Sequence, residues 1–309
     1  MNEFFTTAIL TATVASGIQL AAPFLLASLG ETIGQRSGVL NLGVDGIMLL
    51  GAFASYYVAL ETGNLLLAVL CAIAVGLACG VATAFISVTL RAEQGISGIG
   101  VYLFALGLTS LLFLKLVGTP TPIDQPPDVE IPILSDLPRI GQLFDQNVLV
   151  YSAFALVPVV AFVLNRTTFG LNIRAVGENP AAADSLGVSV ARTRYATVAI
   201  GSTLAGLAGA TLLFDVGIFQ QNITNAEGFI AVALVYFGGW RPVGVMLGSL
   251  LYGMTQATVL AWKGLGIIPV SLSDLASAAP AVITVLALLT VARRFRQPAA
   301  LAVPYTRGG

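Results

Sequence analysis

Four polar side chains stand apart because apolar sequence surrounds them: Gln19, Asn41, Asp45 and Gln256. Their amide and carboxylate groups can hydrogen-bond the hydroxyls or base edges of a neutral polar solute, which is binding chemistry rather than bond making. The parts for catalysis are missing. The chain has no histidine, so it lacks the commonest metal ligand and the side chain that titrates near neutral pH. Two cysteines alone make no zinc site, so neither a metal nor a cofactor is expected. No nucleophile is paired with an activating base, and no Gly-x-x-x-x-Gly-Lys-Ser/Thr phosphate loop occurs. Cys71 and Cys79 share one uncharged stretch and read as small packing residues, not as a disulfide.

Asn41 and Asp45 lie in a tract, Gly30 to Ala52, that sets glycines and isolated charges directly against apolar helix sequence. It marks a broken helix near 31–52, at membrane depth. Lipid cannot satisfy backbone groups freed by a break, so the stretch must be covered by protein or line a wet cavity. In a transporter that is where a solute passes. Each candidate also has a structural reading. Asp45 can cap a helix running from Gly46, Asn41 can close a turn, and an isolated Gln19 or Gln256 can bond between helices.

The elements that position these residues follow from composition. With 57% hydrophobic and 9% charged residues and a mean hydropathy of +0.91, the chain is an all-α integral membrane protein embedded in a lipid bilayer, and nucleic acid is excluded as a partner. A membrane helix needs about 20 apolar residues, so uncharged gaps serve as a ruler. Seven gaps meet it: 4–30, 62–90, 94–114, 146–165, 195–214, 242–262 and 275–292. Two less regular segments, 38–60 with Asp45 inside it and 228–240, bring the expectation to nine crossings within a range of about 8–10. The start has no basic n-region and reads as a retained helix, not a cleaved signal.

Charge asymmetry orients the spans. The connection 165–195 holds Arg166, Arg174, Arg192 and Arg194, and the last helix ends in Arg293, Arg294 and Arg296, so both are expected in the cytoplasm. The loop 118–147 carries Asp124, Asp128, Glu130, Asp136 and Asp145 against Arg139, with prolines including Pro138, and is expected outside. An odd number of crossings then places the N-terminus outside as well. Residues 1–296 read as one transmembrane domain, and 297–309 as a frayed cytoplasmic tail. Small residues spaced by four, at Gly76 and Gly80, Ser202 and Gly206, Ala205 and Gly209, and Gly244 and Gly248, suit close helix packing.

Within the cytoplasmic connection the segment from Gly177 to Gly187 spells a short helix. Asn179 is placed to accept from free backbone donors, Pro180 suits the first helical position, and Gly187 permits a left-handed exit. The run Pro180 to Leu186 is about 10 Å long at 1.5 Å per residue, too short to cross a bilayer. Its alanine face, with Ala181 and Ala182, is narrow enough to seat in a groove, and Glu178 and Asp184 can engage basic groups there. The local alternative is a capped loop helix with no partner.

Three pieces in this order resemble the permease subunits of bacterial ABC importers. They are Gly30 to Ala52; Gly177-Glu178-Asn179-Pro180 leading into Ala205-Gly206-Leu207-Ala208-Gly209-Ala210; and Gly228-Phe229-Ile230-Ala231-Val232-Ala233 followed by Gly239-Trp240-Arg241-Pro242. The tract Gly38-Val39-Leu40-Asn41-Leu42-Gly43-Val44-Asp45-Gly46 most resembles the nucleoside and simple-sugar branch served by basic-membrane-lipoprotein-type binding proteins. The branched-chain amino acid permeases share a similar tract. The resemblance implies a multi-pass protein of the bacterial inner membrane with a second permease subunit, commonly a different chain. It also implies a cytoplasmic ABC ATPase and an external or periplasmic substrate-binding protein. The family's coupling helix would fall on Asn179 to Gly187. An ion-coupled secondary transporter is the competing class.

Overall fold

The computed structural model describes residues 7–130, 132, 135, 141–291 and 296–306. The expectations for Met1 to Phe5, Asp136, Pro138, Arg139, Arg293 and Arg294 lie outside the described residues. Twelve described α-helices form one bundle: α1 (Thr7–Arg36), α2 (Val44–Thr62), α3 (Leu65–Ala84), α4 (Gln94–Leu116), α5 (Val148–Arg166), α6 (Thr168–Glu178), α7 (Pro180–Ser185), α8 (Val190–Val216), α9 (Glu227–Phe237), α10 (Pro242–Gly264), α11 (Ser273–Ser277) and α12 (Ala279–Val291). Between α4 and α5 two short strands, β1 (Asp128–Glu130) and β2 (Asp145–Asn147), pair antiparallel. Helix starts are set locally. Asn64, Glu93, Asn147, Thr167, Asn179 and Ser189 each accept from backbone donors of the turn that follows them.

Eight described segments are long and apolar enough to cross a membrane. Helix α1 is one of them, at 30 residues; it spans about 45 Å at 1.5 Å per residue and runs through Glu31 without ending. The expected break therefore falls after a complete helix, at 37–43, and α2 restarts as an ordinary 19-residue helix. Helix α9, at 11 residues, is too short to cross. Its lead-in begins at Gly217, whose carbonyl accepts from Ile123 at the hairpin end. Its exit is at Trp240, whose carbonyl accepts from Arg36 Nε at the opposite end. The ninth pass is thus a broken one, an irregular stretch 217–226 followed by a half-length helix.

Helix α8 is the centre of the bundle, packed along α1, α2 and α3, while α1 also lies along α10. The small-residue spacings act where expected. A Cβ on Gly206 would stand 2.4 Å from the Ala72 carbonyl oxygen, and one on Gly209 1.9 Å from that of Met48, so these backbones touch with no room for a side chain. Leucines and phenylalanines on α3, α4, α5 and α12 remain exposed, as a lipid-facing surface requires. Cys71 and Cys79 are free thiols.

One expectation fails outright. The segment 296–306 is not frayed but docked on the bundle, with Pro298, Ala300 and Leu301 buried. Its contacts are made chiefly by backbone groups, which composition does not reveal.

Candidate functional site

A break between two complete passes and one interrupted pass meet inside the bundle. At the break, 37–43, the N–H groups of Ser37, Gly38 and Val39 donate to carbonyls of the last turns of α1, and those of Leu40, Asn41 and Gly43 donate to side chains. Leu40 N–H donates to Gln94 Oε1 at 2.8 Å, Asn41 N–H to Glu31 Oε2 at 3.4 Å, and Gly43 N–H to Asn41 Oδ1 at 3.0 Å. Gln35 links this support to the far end, donating to Glu31 at 3.2 Å and accepting from Trp240 Nε1 at 2.9 Å. Asn41 thus closes a turn with its own side chain, and it is buried.

Asp45 is fully buried in the first turn of α2 and does not cap its own helix. Its carboxylate accepts from Thr224 Oγ1 at 3.0 Å and from Gly228 N–H at 2.7 Å. It therefore caps α9, whose own N-cap residue, Ala226, offers no side-chain bond. The two helix starts touch: a Cβ on Gly228 would lie 2.4 Å from Asp45 Cα. Asp45 and Glu227, each acidic in a first helical turn, set negative charge against converging positive helix ends. The lead-in to α9 is strained, with positive φ at Asn222, Asn225 and Ala226, and such conformations persist where surrounding contacts hold them.

Around this junction lies a polar group that sequence reasoning assembled only in part. Gln19 donates from Nε2 to Asp215 Oδ1 across the α1–α8 contact. Asp215 and Asp45 both act electrostatically on Glu227, and Glu227 acts on Tyr252 of α10, whose ring meets Phe24 at a centroid distance of 4.4 Å, tilted by 54°. Gln256 sits one helical turn beyond Tyr252, and Ser249 one turn before it, on the same stripe of α10. On α9, its lead-in and α10, four polar atoms are buried without a hydrogen-bond partner: the acceptors Glu227 Oε2, Gln256 Oε1 and Asn222 Oδ1, and the hydroxyl of Ser249. Asp215, Glu227 and Tyr252 were missed as site residues. For Asp215 and Glu227 the signal was an isolated acid in apolar sequence, which the charge ruler had used only to mark span ends; Tyr252 carried none. Of the aromatics able to stack on a base, Phe85 and Phe104 are exposed on the outside of the chain, while Tyr102 meets Phe229 of α9 edge-on at 5.5 Å.

At the opposite end from the β-hairpin, the capped segment forms as the residues dictate. Asn179 Oδ1 accepts from Ala182 N–H at 3.0 Å, Pro180 opens α7, and Gly187 exits at φ +88°. Ala181, Ala182, Ser185 and Leu186 are exposed, Leu186 by 84%. Gly177 faces inward: its Cβ would stand 2.0 Å from the Arg36 carbonyl oxygen, so it joins α6 to the end of α1. Asp184 accepts from Tyr305 within the chain.

A bundle in which one broken pass meets the break between two complete ones at buried polar groups, with a short capped helix at one end, fits a multi-pass membrane permease. Residues 13–290 match the family described as "Branched-chain amino acid transport system / permease component", and the chain belongs to that family of ABC transporter permeases. It is 34% identical over 97% of its length to the Guanosine ABC transporter permease protein NupQ of Bacillus subtilis, covering 98% of that protein. It is 33% identical over 95% of its length to the Nucleoside ABC transporter permease protein NupC of Lactococcus lactis, covering 96% of it. It is also 40% identical over 85% of its length to a putative glucose ABC transporter permease protein of Haloferax volcanii, covering 80%. No solved structure matches the chain. As the permease component of an ABC transporter of the cell membrane, the chain is not itself the ATPase; it works with separate ATPase and substrate-binding partners.

Proposed function

We propose that this permease carries nucleosides or related simple sugars inward, past the junction of α2 and α9, beside a second permease subunit of different sequence. The carrying observation is the set of buried, unpartnered acceptors on Glu227, Gln256 and Asn222, with the unpartnered hydroxyl of Ser249. Buried acceptors left unmade are costly, and an uncharged solute rich in hydroxyl and N–H donors satisfies them. A leucine-class solute brings an ammonium that Asp45, Asp215 and Glu227 can receive, but also a carboxylate for which that group of residues contains no cation. Gln19 positions Asp215, while Asn41 and Asp45 hold the two breaks in register. The guanosine, nucleoside and putative glucose permeases named above support the same solute class.

In this reading the hairpin end faces outward toward the binding protein, and α7 faces the cytoplasmic ATPase. The exposed run Ala181, Ala182, Ser185 and Leu186 enters a groove on the motor, with Glu178 at its rim and Asn179, Pro180, Asp184 and Gly187 holding its shape. The solute class is tested by screening nucleosides, pentoses, hexoses and branched-chain amino acids against the cognate external binding protein by calorimetry. Binding of a nucleoside or sugar is expected; binding of leucine-class solutes alone would overturn the assignment.

A further inference from the structure

The docked segment 296–306 ties together the parts of this end that would move in transport. Ala300 N–H donates to the Gly177 carbonyl at 2.8 Å, at the junction leading to α7, and Ala302 N–H donates to the Gly38 carbonyl at 3.1 Å, inside the first break. Tyr305 Oη donates to Asp184 of α7 at 3.2 Å. Arg194 of α8, only 2% exposed, donates from Nη1 to the Val303 carbonyl at 3.0 Å and from Nε to the Ser37 carbonyl at 3.2 Å. A buried guanidinium is costly unless its donors are used; here Nε and Nη1 clasp the segment and the break together, while Nη2 has no partner among the described residues. Packing repeats the pattern. Leu301 joins Val235 and Trp240 at the end of α9, and Tyr305 joins Val176, Ala183 and Val190 around α7. Ala302 holds a left-handed φ of +60°, so the segment is bent to fit rather than draped.

The main chain alone links α7 weakly to the pathway. It passes through Asn179, whose φ of −148° and ψ of 90° break the helical path between α6 and α7, and only Ala183 of the six α7 residues is buried. A push on so short a helix would swing about that joint. We propose that residues 298–305 act as a positioning strap in the transport cycle, making α7 and the 37–43 break move as one body, with Arg194 and Tyr305 as its fasteners. Motor movement then reaches the first turn of α2, and through Asp45 the start of α9. The proposal rests on the reading of α7 as the motor-docking helix.

The test uses the full complex of both permeases, ATPase and binding protein in vesicles, reading solute taken up per ATP hydrolysed. Truncation after Gln297 should leave ATPase association and turnover within about twofold but lower uptake per ATP at least about tenfold. Tyr305→Phe should lower it by about two- to fivefold, as loss of one hydrogen bond would. Ala302→Pro, which removes the donor to Gly38 and cannot adopt the left-handed φ, should fall between them. An unchanged ratio in the truncated complex overturns the strap; if that chain fails to assemble, an unchanged ratio in both point variants does so. A parallel Leu186→Asp complex separates the two ideas. ATPase association kept there overturns the docking reading, whereas association lost there, with normal ratios in the strap variants, overturns the strap alone.

Discussion

Replacing Asp45 by leucine is expected to abolish uptake and to destabilise the chain by about 2–6 kcal/mol, since two buried donors lose their acceptor at about 1–3 kcal/mol each. The donors are Thr224 Oγ1 and Gly228 N–H, at 3.0 and 2.7 Å from the two carboxylate oxygens. Gly228 packs directly on the Asp45 backbone, where a Cβ would stand 2.4 Å from Asp45 Cα, so its N–H stays fixed at the emptied carboxylate position. Asp45→Asn keeps one acceptor oxygen and should fall between leucine and the parent, at about 1–3 kcal/mol. The readouts are the thermal midpoint in detergent and uptake by the assembled complex. A leucine variant with parental midpoint and parental uptake would show that Asp45 does not hold the junction.

The second large effect is expected at the surface. Leu186 is 84% exposed at the end of α7, so Leu186→Asp should leave the fold of the isolated permease unchanged. If α7 docks in the motor, that side chain is buried in the complex. Losing its transfer free energy and burying a charge instead should cost about 2 kcal/mol or more, which is roughly thirtyfold in affinity for the ATPase. The measurement is ATPase binding to detergent-solubilised permease with and without the substitution. Equal affinity would place the motor elsewhere on the chain.

The features legible in the sequence were those governed by local physics. Gaps between charges located α3, α4, α5, α8 and α10 because apolar length is itself the membrane requirement. The start and stop of α7 were legible because Asn179, Pro180 and Gly187 act on backbone within a turn of themselves. The spacing of Gly206 and Gly209 announced close approach, although not that Ala72 and Met48 would be the neighbours.

The site itself was half legible. Glu31 was expected to lie at a break, yet α1 passes through it, because its charge is held by Gln35 and by the Asn41 backbone. Asp215 and Glu227 served as ruler marks, whereas Asp215 is met by Gln19, 196 positions away in the chain. A partner that distant leaves no periodic trace near the residue it satisfies. Asp45 showed the opposite failure: its structural reading was a local cap on the helix from Gly46, and the helix it caps is α9, 183 positions on. The tail escaped for a third reason. Its anchors, Ala300, Ala302 and Val303, act through N–H and C=O groups that every sequence carries.

The central claim, a conduit with no motor of its own driven through α7 by a separate ATPase, is tested most directly by uptake into sealed vesicles. The permease is reconstituted with and without its partner permease, ATPase and binding protein, and labelled nucleoside is supplied. Uptake is expected only when all partners and ATP are present, and is expected to be unchanged by ionophores that collapse proton and sodium gradients. Nucleoside uptake by this chain alone, abolished by those ionophores, would contradict it.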